Sequence, residues 1–114
     1  MGYTTDFDGY LETNRPLTIV EKEIINNFSN ERHEGSKYPG IWCQWIIADD
    51  DKLKWDEGEK FYNYVEWLKY LIDNFFEKWD IKLNGTIKRR GEDMNDIGKI
   101  VVEDNKVTVI ESEF

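Results

Sequence analysis

The chain has 114 residues, with 24 Asp and Glu against 15 Lys and Arg, a formal net charge of −9. One Cys and one His exclude an internal disulfide framework and a Cys/His zinc site. The acidic balance excludes non-specific binding to nucleic acid or to an anionic membrane, because both demand positive charge.

The length is that of one domain, residues 1–114, and six Phe, six Tyr and five Trp supply a core. No apolar run is long enough to span a bilayer, and the first residues lack the basic and apolar regions of a secretory leader. The expected compartment is therefore the cytoplasm, with Cys43 reduced. Lys outnumbers Arg, Ile outnumbers Leu, and Ala48 is the single Ala, a bias that fits an AT-rich genome.

Residues 3–12 alternate, with Tyr3, Thr5, Phe7 and Leu11 on one face, which predicts a half-buried strand. Thr18 and Glu21 form a capping box that opens a helix running to about Arg32, with Val20, Ile24 and Phe28 in register. A loop over 34–40 leads to a hairpin. Ile41, Cys43, Trp45 and Ile47 point one way, Asp49-Asp50-Asp51 turns the chain, and Leu53 and Trp55 return. Asp56 or Gly58 then opens a long helix. Its apolar residues at 61, 64, 65, 68, 72, 75, 76 and 79 make one stripe over about 30 Å. Three strands close the chain: Ile81 to Lys88, Ile97 to Val102, and Val107 to Ile110, the last two joined at Asp104-Asn105. The order β-α-β-β-α-β-β-β predicts an α+β two-layer sandwich, with both helices on one face of an antiparallel sheet.

No motif for a nucleophile, a phosphate loop or a metalloprotease is present. Cys43 is in phase with the core positions of its hairpin and reads as a small buried hydrophobe, and His33 meets the last carbonyls of the first helix. The Asp49–Asp51 run lacks the Gly and Glu of a calcium loop, since Lys54 and Lys60 hold those positions, so no metal and no cofactor are expected. Lys88-Arg89-Arg90 is too short a basic run to hold nucleic acid and is expected to pair with Glu92 and Asp93.

On the long helix, Tyr70 falls nearly opposite the apolar stripe and Trp67 well off its centre, while Tyr62 lies off the other side. Exposed Trp and Tyr favour interfaces. Trp42 is similar, on the strand face opposite Cys43. Residues 49–59 carry six acids and residues 92–114 carry seven.

The pieces MGYTTDFDG, LETNRPLT, FSNER, PGIWCQW, LKWDEGEKFYNYVEWLKYLI, LNG, GED and GKIVVEDNKV cover most of the chain. On them the sequence resembles a family of small uncharacterised bacterial and phage proteins. The segment before WCQW, His33 to Ile41, is shorter here than in that family. The resemblance implies a phage or mobile-element connection and carries no catalytic assignment.

Charge and aromatics together suggest a small acidic, non-enzymatic protein that binds a basic or nucleic-acid-binding protein. In a phage setting it would occupy the nucleic-acid groove of a host defence factor, as an anti-CRISPR or DNA mimic does. Asp49, Asp50, Asp51, Asp56, Glu57 and Glu59 would steer the partner, and Trp67 and Tyr70 would anchor it. The alternative is a ligand-binding or weakly hydrolytic pocket walled by Trp42, Trp45 and Trp55, with Glu92 and Asp93 as its polar groups. A third reading is a subunit of a larger assembly.

Overall fold

A computed structural model describes residues 5–58, 61–93 and 95–111. Its element order is the expected one: β1 (Asp6–Thr13), α1 (Ile19–Ser29), β2 (Trp45–Ile47), β3 (Leu53–Trp55), α2 (Tyr64–Leu71), β4 (Leu83–Arg90), β5 (Ile97–Glu103) and β6 (Lys106–Glu111). The strands form one antiparallel sheet in the order β2-β3-β1-β4-β5-β6. The architecture is α+β, two helices against a six-stranded sheet. Tyr3 and Glu59 lie outside the described residues.

The period-2 pattern builds the sheet's inner face. Phe7 and Leu11 of β1, Trp45 and Ile47 of β2, and Leu53 of β3 are buried there, beside Leu83 and Ile87 of β4 and Ile100 and Val102 of β5. β1 and β4 pair over their full length, and Gly9 faces Ile87 at a φ of 118°. A side chain at Gly9 would meet the Thr86 carbonyl at 2.5 Å, so this close approach requires glycine.

The capping box forms as expected. Thr18 Oγ1 accepts the Glu21 N–H at 3.0 Å, and Glu21 Oε1 accepts the Thr18 N–H at 2.9 Å. The inward face of α1 differs from the expected one. Val20 and Ile24 are exposed, while Ile25 and Ser29 are buried and Phe28 is partly so. The cause is polar. The Asn26 amide accepts the Ile47 N–H at 2.8 Å and donates to the Ile47 carbonyl at 3.0 Å, and Ser29 Oγ donates to the Trp45 carbonyl at 2.6 Å. These bonds satisfy the outer edge of β2 and turn α1 toward it.

The long helix is also revised. It begins at Tyr64, behind Asn63 in a left-handed conformation (φ 57°), and its regular part ends at Leu71. Ile72–Phe76 follow as a π-helical turn, in which the Glu77 N–H donates to the Ile72 carbonyl at 2.8 Å. Trp67, Leu68, Leu71, Ile72 and Phe76 carry the buried face, with Tyr64, Val65, Phe75 and Trp79 partly buried beside it.

Candidate functional site

The structure reassigns several residues that the sequence offered as a site. Trp67 is fully buried and does not serve as an exposed anchor. Its indole lies among Phe28 (5.8 Å between centroids), His33 (5.3 Å) and Tyr38 (6.4 Å). The end of α1 and the loop after it therefore widen the arc of α2 that is covered. Tyr70 is half-buried and stacks on Phe28 at 5.5 Å, with the ring planes 11° apart. His33 meets the helix-end carbonyl as expected, with Nε2 2.8 Å from the Phe28 carbonyl oxygen, and is buried in this same aromatic box.

The pocket residues do not converge on a cavity. Trp45 is wholly buried beside Phe7 (5.3 Å) and Phe61 (5.1 Å), and its Nε1 donates to the Tyr64 carbonyl at 2.8 Å. It is a core residue because its strand position points inward and its one polar atom has a partner. Trp55 is half-buried against Phe7. Glu92 and Asp93 are exposed in the β4–β5 loop. Arg89 is buried on the inner face, where it pairs with Asp96 and, at 3.3 Å, with Glu111. The basic run thus splits, because alternation sends Lys88 and Arg90 to the open face and Arg89 inward. A side chain at Gly98 would meet the Ile110 carbonyl at 2.6 Å and Arg89 Nη2 at 2.8 Å, so this close approach requires glycine.

Cys43 is buried, and burial pushes its thiol up to about 11. Such a thiol has almost no thiolate near neutral pH and is a poor nucleophile. Among the described residues, no group of His, Cys, Asp or Glu is placed to hold a metal ion, and no helix is long and apolar enough to cross a membrane.

The acids of the hairpin divide. Asp51 accepts the Leu17 N–H at 3.2 Å and pairs with Lys22 at 2.5 Å, which lowers its pKa and commits it to the fold. Asp49 and Asp50 are exposed at the tip, with Asp50 3.5 Å from Lys52. Asp56 and Glu57 are exposed beyond β3. Asp56 Oδ1 accepts the Gly58 N–H at 2.7 Å, and partial burial raises its pKa. It borders an open cleft of about 450 Å³ with Asn26, Asn27, Ser29, Asn30 and Ile46.

Two tied segments carry both acids and exposed aromatic residues. The segment 39–44 is tied to Trp55, Asp56 and Asn63. Asn63 Nδ2 donates to the Pro39 carbonyl at 2.5 Å, the Asp56 N–H donates to the Gln44 carbonyl at 2.9 Å, and Trp55 Nε1 donates to Gln44 Oε1 at 3.1 Å. Between these ties sit Ile41 (46% exposed) and Trp42 (49%), with Tyr62 (60%) on the neighbouring segment. Asp56 and Glu57 border the same stretch. Ile41 was expected inside its hairpin, but regular β2 begins only at Trp45 and the phase is lost before it. The signal for Tyr62 was its place off the helical stripe, and it lies before the first turn of α2.

Comparison with family models, with curated proteins and with solved structures finds no match to this chain.

Proposed function

We propose that this protein is a non-enzymatic binding module for a basic protein partner, and that Ile41, Trp42 and Tyr62 anchor the contact. The observation that carries this reading is two large aromatic side chains, each about half exposed or more, on two hydrogen-bonded segments that also carry the exposed Asp56 and Glu57. Trp and Tyr are enriched among the few residues that dominate binding energy, because they bring area with little side-chain entropy. Asp56 and Glu57 border the anchors, and Asp49 and Asp50 add negative charge at the hairpin tip. With the net charge of −9, they would steer a positively charged surface toward the anchors. A groove built to hold nucleic acid is the basic surface that fits this chemistry most directly, and a host defence factor of a phage's target cell would present one.

The test is capture from a lysate of the encoding organism or its host, with mass spectrometry of what is retained. Capture should weaken at least tenfold between low and high salt, and added nucleic acid should compete. Trp42→Ala with Tyr62→Ala should lose at least about 30-fold in affinity, the equivalent of one interface hot spot. Binding that survives both high salt and the double substitution would refute the proposal.

A further inference from the structure

The two edges of the sheet are treated differently. The β2 edge is three residues long and is closed by Asn26 and Ser29 of α1. The β6 edge is six residues long, Lys-Val-Thr-Val-Ile-Glu, and pairs with β5 alone among the described strands. It has no Pro, no Gly and no bulge in its register, and Val109 and Ile110 are 41% and 38% exposed. A long edge with an unbroken register and exposed Val and Ile is a template for another strand.

The turn that starts β6 fixes which of its groups point outward. Asp104 and Asn105 have φ of 47° and 71°, a two-residue turn that closes on the Glu103–Lys106 pair. In such a hairpin the closing pair exchanges hydrogen bonds, and bonded pairs then alternate along the ladder. Lys106, Thr108 and Ile110 therefore turn their N–H and C=O toward β5. Val107, Val109 and Glu111 turn theirs away from it. Opposite Val102, Ile100 and Gly98 respectively, these three also carry their side chains on the inner face.

We propose that β6 is a homodimerisation edge, pairing antiparallel with β6 of a second copy about a two-fold axis through Thr108. Only registers that keep both inner faces on the same side are open to such an axis, since paired residues share a face. The Thr108 register sets Val107 opposite the partner's Val109, and Val109 opposite the partner's Val107. Both are outward-directed residues, so the two pairs exchange four backbone hydrogen bonds. The inner-face row Ile100–Val109 then continues through the second copy's Val107 and Val102. On the outer face Thr108 meets Thr108, and Lys106 lies opposite Ile110, so no like charges oppose each other. A two-fold through Val109 would instead set Glu111 against Val107. The strand's own charges, Lys106 and Glu111, cancel, which lets two copies of an acidic chain meet at this edge.

The dimer and the proposed basic partner respond oppositely to salt. Screening weakens attraction to a basic protein and relieves repulsion between two chains of charge −9. The test is sedimentation of the full chain over a wide concentration range at low and high salt. The expected result is a shift from the 13.7 kDa chain mass to twice that value as concentration rises, stronger in high salt. A single species of chain mass throughout would overturn the proposal. Val109→Pro removes an outward N–H and leaves the β5 ladder its donors, so it should keep the native circular dichroism and lose the dimer. Thr108→Cys reads the register. Facing residues of a non-hydrogen-bonded pair have Cα atoms about 4.5 Å apart, within disulfide range. Buried Cys43, with its raised pKa, does not compete for oxidant. Thr108→Cys should form a covalent dimer on mild oxidation, and Ile110→Cys, which faces Lys106, should not. Cross-linking through Ile110→Cys but not Thr108→Cys would overturn the register, and a Val109→Pro variant that still dimerises would overturn the edge.

Discussion

Trp45 and Trp67 make a matched pair. Both indoles are fully buried, yet Trp45 Nε1 donates to the Tyr64 carbonyl at 2.8 Å, whereas Trp67 Nε1 has no hydrogen-bond partner among the described residues. Replacing each with Phe removes a similar volume and leaves a similar void, so the packing cost is close to common. The polar term separates them. Trp45→Phe also loses a made hydrogen bond, a net cost of about 1 kcal/mol. Trp67→Phe deletes a donor that was stripped of water without compensation, which returns about 1–3 kcal/mol. Trp45→Phe should therefore be more damaging by about 2–4 kcal/mol, and Trp67→Phe should be near neutral. Urea unfolding followed by far-ultraviolet circular dichroism measures this, with the slope m checked for constancy across the variants. In a chain of this size the difference corresponds to roughly 8–17 °C in Tm. Equal costs, or a larger loss for Trp67→Phe, would refute the reasoning, because the Trp67 N–H would then have a partner that contributes to stability.

Arg15 donates two hydrogen bonds to Glu21 and holds its carboxyl down at about 2, below the ordinary 4.5. A depressed carboxylate adds stability above its unfolded pKa and loses it as pH falls through the folded one. Glu21→Gln, which preserves the cap, should thus flatten the acid loss of stability between about pH 4.5 and 2, read from urea midpoints across that range; an unchanged profile would exclude this pair as its source. Asp96→Asn should lower stability by about 2 kcal/mol and Glu111→Gln by less than about 1, because Arg89 is buried and Asp96 is the less exposed of its two acids; equal Tm losses would contradict that ranking. Cys43 should resist a thiol reagent in the folded protein at pH 8 and react at the rate of global unfolding, a prediction that fast labelling of folded protein would defeat. Asn26→Ala should cost about 2 kcal/mol in urea unfolding, for the two hydrogen bonds to Ile47; a cost within error of zero would show that this edge of β2 needs no cover.

The legible parts of the sequence were those fixed by local chemistry. The Thr18–Glu21 cap, the Asp104-Asn105 turn and the alternation of Phe7 with Leu11 and of Leu83 with Ile87 depend on residues a few positions apart; the cap and turn formed where expected, and strands β1 and β4 formed within three residues of their expected bounds. The face of α1 was misread because Val20, Ile24 and Phe28 make an acceptable stripe, while the decisive bonds run from Asn26 and Ser29 to a strand sixteen or more residues away. Trp67 was misread for a related reason. A stripe marks the face toward the sheet, but Phe28, His33 and Tyr38 supply a second wall that no period on α2 can report. The start of α2 at Tyr64 and the π-helical turn after Leu71 left no mark in the hydrophobic pattern, which runs through both without a break.

The aromatic content bears on the site in the same way. Most of the Phe, Tyr and Trp residues are drawn into two buried groups, one around Phe7 and Trp45 and one around Phe28 and Trp67. Trp42 and Tyr62 are left outside both, on chain segments that are neither helix nor strand. A ring exposed on a regular element often follows from the period of that element, whereas an irregular segment imposes no such requirement. Ties from Gln44, Pro39 and Asn63 hold these two segments together by their backbones and amides, which leaves the rings themselves uncommitted to the core. That separation between what holds the loops and what they display is the physical basis for the proposed partner contact there. The same reasoning places no contact on Trp67, whose contacts are spent inside.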